Sequence, residues 1–211
     1  MRLQHQLGMK DEYLEPATEV SAEIKVKGSR FIARIVPVLS QDAAKDVIRA
    51  VSKEHYDATH NCTAYRVGVG EPESRFNDDG EPNGTAGMPI LRQLEGADLT
   101  NVVAVVTRYY GGTKLGTGGL ARAYGDAAAE ALASLQVRKR IVRTAVRVRF
   151  DYADTSPAMH TIGQFDIKVK DSTYGNRTEL QLGVRQSEAD RFSAAFVEAL
   201  SGRGEVLAAG A

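Results

Sequence analysis

The stretch that decides the fold is Val102-Val103-Ala104-Val105-Val106-Thr107-Arg108-Tyr109-Tyr110, followed by Gly111-Gly112-Thr113-Lys114-Leu115-Gly116-Thr117-Gly118-Gly119-Leu120. Valine occupies both parities of the run, so neither face tolerates water and the spacing predicts a central strand buried on both sides. Five glycines within residues 111–119 let the backbone turn sharply and expose its amides. Thr117 is placed to cap the helix that follows, whose free N–H groups and dipole favour an anion. Behind it, Leu120, Tyr124, Ala127, Ala128, Ala131 and Leu135 form the apolar side of an alanine-rich helix, opposite Arg122, Asp126 and Glu130.

Outward from this centre, Thr18 to Val38 reads as two strands around Gly28-Ser29, and Ser40 opens a helix striped by Ala44, Val47, Ile48 and Val51. Asn61 to Val69 reads as a strand with Thr63, Tyr65, Val67 and Val69 facing the core. His60, Cys62, Ala64 and Arg66 are then expected on its other face. Gly70 to Gly87 is dense in turn signals and reads as one long irregular stretch, of the kind that carries function. Pro89 to Leu94 is expected as a short helix.

After Gln136 the texture changes. A strand over Ala145–Tyr152, a helix from Ser156 to Gly163, strands over Phe165–Val169 and Glu179–Val184, a helix opened by a Ser187–Asp190 capping box and a strand over Glu205–Ala208 follow. Ser172–Asn176 reads as the turn between the middle strands. The order βαββαβ is the ferredoxin-like split unit. The expectation is α+β with an N-terminal tail over 1–17, a first domain over 18–137 and a second over 138–211.

The 211 residues carry 27 basic and 27 acidic side chains, so no global field calls for nucleic acid or an anionic membrane. One local patch stands out: Arg138, Lys139, Arg140, Arg143, Arg147 and Arg149 run without an acid, which suits an RNA backbone or simply a solvated face. The single Cys62 excludes an internal disulfide and fits a reducing cytoplasm. Met1–Glu12 lacks the apolar core of a signal peptide, and no apolar run approaches membrane-spanning length. A cytoplasmic protein with no membrane partner is expected.

The glycine loop offers backbone amides to an anion, with Arg108 and Lys114 adding charge. It departs from the Walker pattern, because Lys114 precedes Leu115 rather than a Ser or Thr. It also lacks the acid a dinucleotide site needs on the next strand. Close strand-to-helix packing is the bland alternative. The candidate anion or nucleic-acid site is Arg108, Tyr109, Gly111, Gly112, Lys114, Gly116, Thr117, Gly118 and Gly119. Asp78, Asp79 and Glu81 form a loop over that cleft, holding turns, assisting catalysis or salt-bridging Arg108. His60 and Cys62, with His55 nearby, make an incomplete zinc or thiol set, so no metal and no cofactor is expected.

The pieces Ser29-Arg30-Phe31, His55 with Ala58, His60 and Cys62, Asp78-Asp79-Gly80-Glu81-Pro82 with Gly84-Thr85-Ala86-Gly87, and Arg108-Tyr109-Tyr110-Gly111-Gly112 with Leu115-Gly116-Thr117-Gly118-Gly119-Leu120 resemble the bacterial branch of the IMPACT family. The resemblance covers residues 18 to 135 and, in outline, the second domain. It implies a first domain like the second domain of ribosomal protein "S five", a sandwich of sheet and helices. It also implies a second domain like the ferredoxin-like last domain of elongation factor G. Eukaryotic members look like regulators of translation, which implies a non-catalytic regulator that binds RNA, ribosome or a translation-associated protein. An enzyme acting on a phosphorylated or nucleotide-like small molecule in the same cleft, and a protein-interaction module, are the alternatives.

Overall fold

The structure, a computed structural model, describes residues 11–207. In chain order its elements are Glu12–Pro16 (β1), Val20–Val26 (β2), Ser29–Pro37 (β3), Gln41–Glu54 (α1), His60–Val67 (β4), Glu73–Asn77 (β5), Gly87–Gly96 (α2), Val102–Tyr109 (β6), Gly116–Ala133 (α3) and Val137–Ile141 (β7). Arg143–Phe150 (β8), Thr155–Gly163 (α4), Ile167–Tyr174 (β9), Thr178–Arg185 (β10), Ala189–Ala199 (α5) and Glu205–Leu207 (β11) follow. Two compact units result: Tyr13–Arg140, and a second that contains Glu12 and the chain from Ile141 onward.

In the first unit the sheet order is β2-β3-β6-β4-β5, antiparallel throughout, with β6 in the middle as its valines require. Val102, Ala104 and Val106 pack into the cluster under α2 and α3, whereas Val103 and Val105 pack with α1. Alanines on the buried side of α3 let that helix lie close to β2 and β3, while Gly125 faces Pro89 and Gln93 of α2. The α1 cap forms as expected, the Ser40 hydroxyl accepting from the Ala43 amide at 3.1 Å.

In the second unit the sheet order is β11-β8-β10-β9. Counted within that unit, the order is fourth, first, third, second, so α4 and α5 cross over as in the ferredoxin-like split unit. Val148, Phe150, Leu182, Phe192 and Phe196 are its fully buried centre.

Several local expectations change. The stretch read as irregular contains β5, which pairs with β4 from Thr63↔Asn77 to Val67↔Glu73. Helices cover both sides of β4, so Cys62 and Ala64 are as buried as Tyr65, while Val69 lies past the strand and is exposed. Strand β9 runs on to Tyr174, three residues into the expected turn. Ser187 is no cap: its amide and hydroxyl both bond the Asp11 carboxylate, and α5 begins after Glu188 without a side-chain cap. Of the expected tail, residues 12–16 form β1; residues 1–10 and Ala208 lie outside the described residues.

Strands β1 and β7 make a separate two-stranded sheet. Glu15 is 3% exposed there; Arg138 and Arg140 donate to its Oε1 at 2.7 and 2.8 Å, and Asn101 donates to Oε2 at 3.3 Å. Burial pushes the Glu15 carboxyl up, but the bonds from Arg140, Asn101 and Arg138 outweigh it and hold the group below its ordinary 4.5. Because the folded-state value is the lower one, this stabilisation is present above the ordinary value and is lost as pH falls through the folded value. Urea unfolding of Glu15→Gln at neutral pH should therefore show a loss of about 2 kcal/mol. The deficit relative to the parent chain should shrink in acid.

Candidate functional site

Arg108, next to last in β6, lies on the α3 side of the sheet, opposite Phe31 on β3 and His60 on β4. The side chain does not reach solvent. Its Nη1 donates to Glu81 Oε1 at 2.5 Å, with the two side chains 6% and 4% exposed. Its Nη2 lies 3.5 Å from Ser29 Oγ. The guanidinium sits 5.4 Å from the ring centres of both Phe31 and Tyr110. From α3, Tyr124 donates its hydroxyl to the same Glu81 oxygen at 2.8 Å and meets Phe31 edge-on at 5.1 Å. The expected salt bridge over the cleft therefore exists, and it takes Arg108 away from any outside anion. Its carboxylate is Glu81; Asp78 and Asp79 do other work.

The segment between β5 and α2 is tied down by its own carboxylates. Asp78 Oδ1 accepts from the Ala86 and Gly87 amides at 2.9 and 2.8 Å, and Oδ2 from Gly84 at 2.8 Å. It thereby caps α2, whose own flanking residue, Ala86, has no cap to give. Asp79, in the left-handed region at φ 44°, accepts from the Asn61 amide at 2.6 Å. Its carbonyl accepts from His60 Nδ1 at 2.6 Å. Cys62 is fully buried, and burial, partly offset by Tyr124, pushes its thiol up to about 12. Burial thus favours the protonated thiol. Among the described residues no group of three or more side chains forms a metal cage.

Beyond β6 the loop splits into two parts with different chemistry. Gly111 lies backbone to backbone with the β2–β3 turn; a Cβ there would come within 1.9 Å of the Gly28 carbonyl carbon. The Gly111 amide donates to Ser29 Oγ at 3.1 Å. Gly112 and Gly116 hold φ of 88° and 70°, which glycine adopts without strain. Thr117 is not the cap expected of it, because α3 starts at Gly116 and the flanking Leu115 offers no side-chain acceptor. The first turn of α3 carries no acidic residue, and Lys114, Thr117 and Gly118 are exposed. Gly118 is neither strained nor crowded, since a Cβ at that position would meet nothing within 4 Å.

Tyr109 leaves the proposed cluster altogether. It points to the α1 side, its hydroxyl 3.0 Å from His55 Nδ1 and donating to Asp57 at 3.2 Å. Tyr110 is the exposed one. The arginines of the basic patch lie opposite acids distant in sequence. Arg138 and Arg140 share Glu15, Arg143 pairs with Asp166 at 2.6 Å, and Arg147 and Arg149 share Glu179 at 3.4 and 3.0 Å. Lys139 is exposed on β7. What the residue patterns missed was the role of Tyr124 and Ser29 in the buried group; a lone hydroxyl on the alanine-lined face of α3 was the available signal.

Glu81→Gln leaves Arg108 buried without a counter-charge and should cost about 3–5 kcal/mol in denaturant unfolding. The double variant Glu81→Gln with Arg108→Met should recover most of that loss. Gly111→Ala should cost about 3 kcal/mol by forcing two backbones apart; a thermal midpoint equal to the parent's would refute the close approach.

The chain matches the Impact N-terminal domain over residues 27–132 and the domain of unknown function DUF1949 over residues 148–203. It is 36% identical over 184 residues to the IMPACT family member YvyE of Bacillus subtilis, covering 87% of this chain and 85% of that protein. It is likewise 36% identical over 200 residues to the IMPACT family member YigZ of Escherichia coli, 94% of this chain and 98% of that one. The rat Protein IMPACT is 36% identical over 105 residues, 48% of this chain and 33% of its own length. A crystal structure described as a hypothetical protein superposes with a TM-score of 0.68 at 35% identity, covering 95% of this chain and 98% of that one. With both domains matched in order and the two bacterial relatives aligned over 85% and 98% of their length, the chain belongs to the IMPACT family.

Proposed function

We propose that this protein is a non-catalytic regulator associated with translation, and that it docks a translation-associated protein on the mouth of α3. The translation role rests on kinship with a family whose eukaryotic members resemble translation regulators. The docking surface rests on one observation, Gly118. A glycine in a helix costs about 1 kcal/mol relative to alanine and is usually repaid by strain relief or close packing. Neither applies at Gly118, where φ is ordinary and the space around it is open. A bare helix turn beside Lys114, with a positive dipole and amides that have no partner within the helix, suits a partner's carboxylate or C-terminal group lying directly on the backbone.

A folded protein surface is favoured over an RNA backbone by the charge pattern. Five arginines that would bind phosphate already face carboxylates. Asp78, Asp79 and Glu81 are engaged in holding the fold, which favours regulation over acid–base chemistry. Co-sedimentation with ribosomes, and filter binding to protein-free ribosomal RNA across a salt series, test the reading. Ribosome binding with shallow salt dependence and little affinity for the free RNA is expected; equal affinity with a steep salt slope would make RNA the partner. Gly118→Ala should fold as stably as the parent, or up to about 1 kcal/mol more so. The same change should weaken ribosome co-sedimentation at least several-fold.

A further inference from the structure

The sheet of the Tyr13–Arg140 unit is covered unequally. On one face α3 and α2 span it, whereas on the other α1 packs over β4 and β6. Where α1 ends, a pocket of about 300 Å³ opens beside β2 and β3. Ile32 and Thr107 line it from the strands, Glu19 and Arg34 from the β2–β3 side, and Glu54 and His55 from the end of α1. Thr107 and Arg108 are successive strand residues, so this pocket and the Arg108–Glu81 pair lie on opposite faces of the sheet.

Its polar groups lean toward accepting protons. Arg34 donates Nε to Glu19 at 2.6 Å and Nη1 to Glu54 at 2.7 Å, so two carboxylates share one guanidinium. Tyr109 spends its one hydroxyl proton on Asp57. His55 Nδ1, 3.0 Å from that hydroxyl, is then the donor, and in that Nδ1–H tautomer the ring carries its lone pair on Nε2. That Nε2 lies 3.9 Å from Glu54 Oε1, too far for a bond between them. A single cationic nitrogen placed between the two can meet both at ordinary hydrogen-bond distance. His55 is also the C-cap of α1, and a helix C-terminus favours positive charge. Val51, at the pocket wall with Ile32, supplies apolar surface for methylenes.

From this arrangement we infer that the pocket binds an alkylammonium or guanidinium group on an aliphatic stem, the chemistry of a lysine or arginine side chain or of a polyamine. His55 Nε2 and Glu54 are the acceptors, and Tyr109, its hydroxyl oriented by Asp57, is a positioning residue that fixes the His55 ring. The site is independent of the docking role given to α3.

Amide chemical shifts of the ¹⁵N-labelled full chain test it, titrated separately with Nα-acetyl-lysine-N-methylamide, spermidine and Nα-acetyl-norleucine-N-methylamide. The lysine compound or spermidine should give saturable shifts at residues 51–55, 19–21, 32–34 and 107, and the uncharged norleucine compound none. Saturation by the lysine compound alone assigns the occupant to a protein side chain, and by spermidine alone to a free polyamine. Glu54→Gln and Tyr109→Phe should each weaken binding at least several-fold while keeping a dispersed spectrum and the parent thermal midpoint. The inference is overturned if the norleucine compound shifts the same amides equally, if neither cation saturates, or if Glu54→Gln and Tyr109→Phe both bind as the parent does. Shifts confined to residues 116–119 would also overturn it, since they would report the other face.

Discussion

Inside the Tyr13–Arg140 unit an arginine and a glutamate meet 2.5 Å apart, both nearly sealed from water. Desolvating two charges is expensive, and a close pair does little better than offset that cost. Its effect is positional. Through Glu81 it pulls the β5–α2 segment onto the sheet; through Tyr124 it fixes the roll of α3; through Ser29 it reaches the turn between β2 and β3. Four parts of the chain far apart in sequence are thus referred to one carboxylate and one guanidinium, and the mouth of α3 takes its place from them.

The same economy of charge runs through the surface. Equal numbers of acidic and basic side chains say only that the net is zero. The structure adds that many arginines in both units lie against carboxylates, some of them two to one acid. Such a molecule steers partners poorly at a distance. Recognition then falls to shape and to dipoles at short range.

How much of this was legible beforehand follows from what sequence patterns encode. Periodicity within one element is local, so β6, the α3 stripe and the βαββαβ order were readable from valines and alanines at fixed spacings. The glycine-rich loop and the Arg108 bridge to the segment around Glu81 were readable as well. Partners are not local. Glu15 lies 123 residues from Arg138, so a run without an acid in sequence meets carboxylates only in the fold. Thr117 and Ser187 carry the right side chains for caps, but helix starts are set by where the chain packs, and α3 begins a residue before Thr117 and α5 two after Ser187. The pocket beside α1 left no motif, because its lining comes from β2, β3, β6 and the end of α1 in no regular spacing.

The contact between Gly111 and the turn at Gly28 has a consequence for how such a chain can change. Most tight contacts in a core can be relieved by shrinking the neighbour when one residue grows. Here both neighbours are already the smallest residue there is, and the nearest atoms are main chain on each side. No second-site reversion is therefore open to a lineage that gains a methyl at residue 111. The corner can vary only by rebuilding the length of one loop or the other.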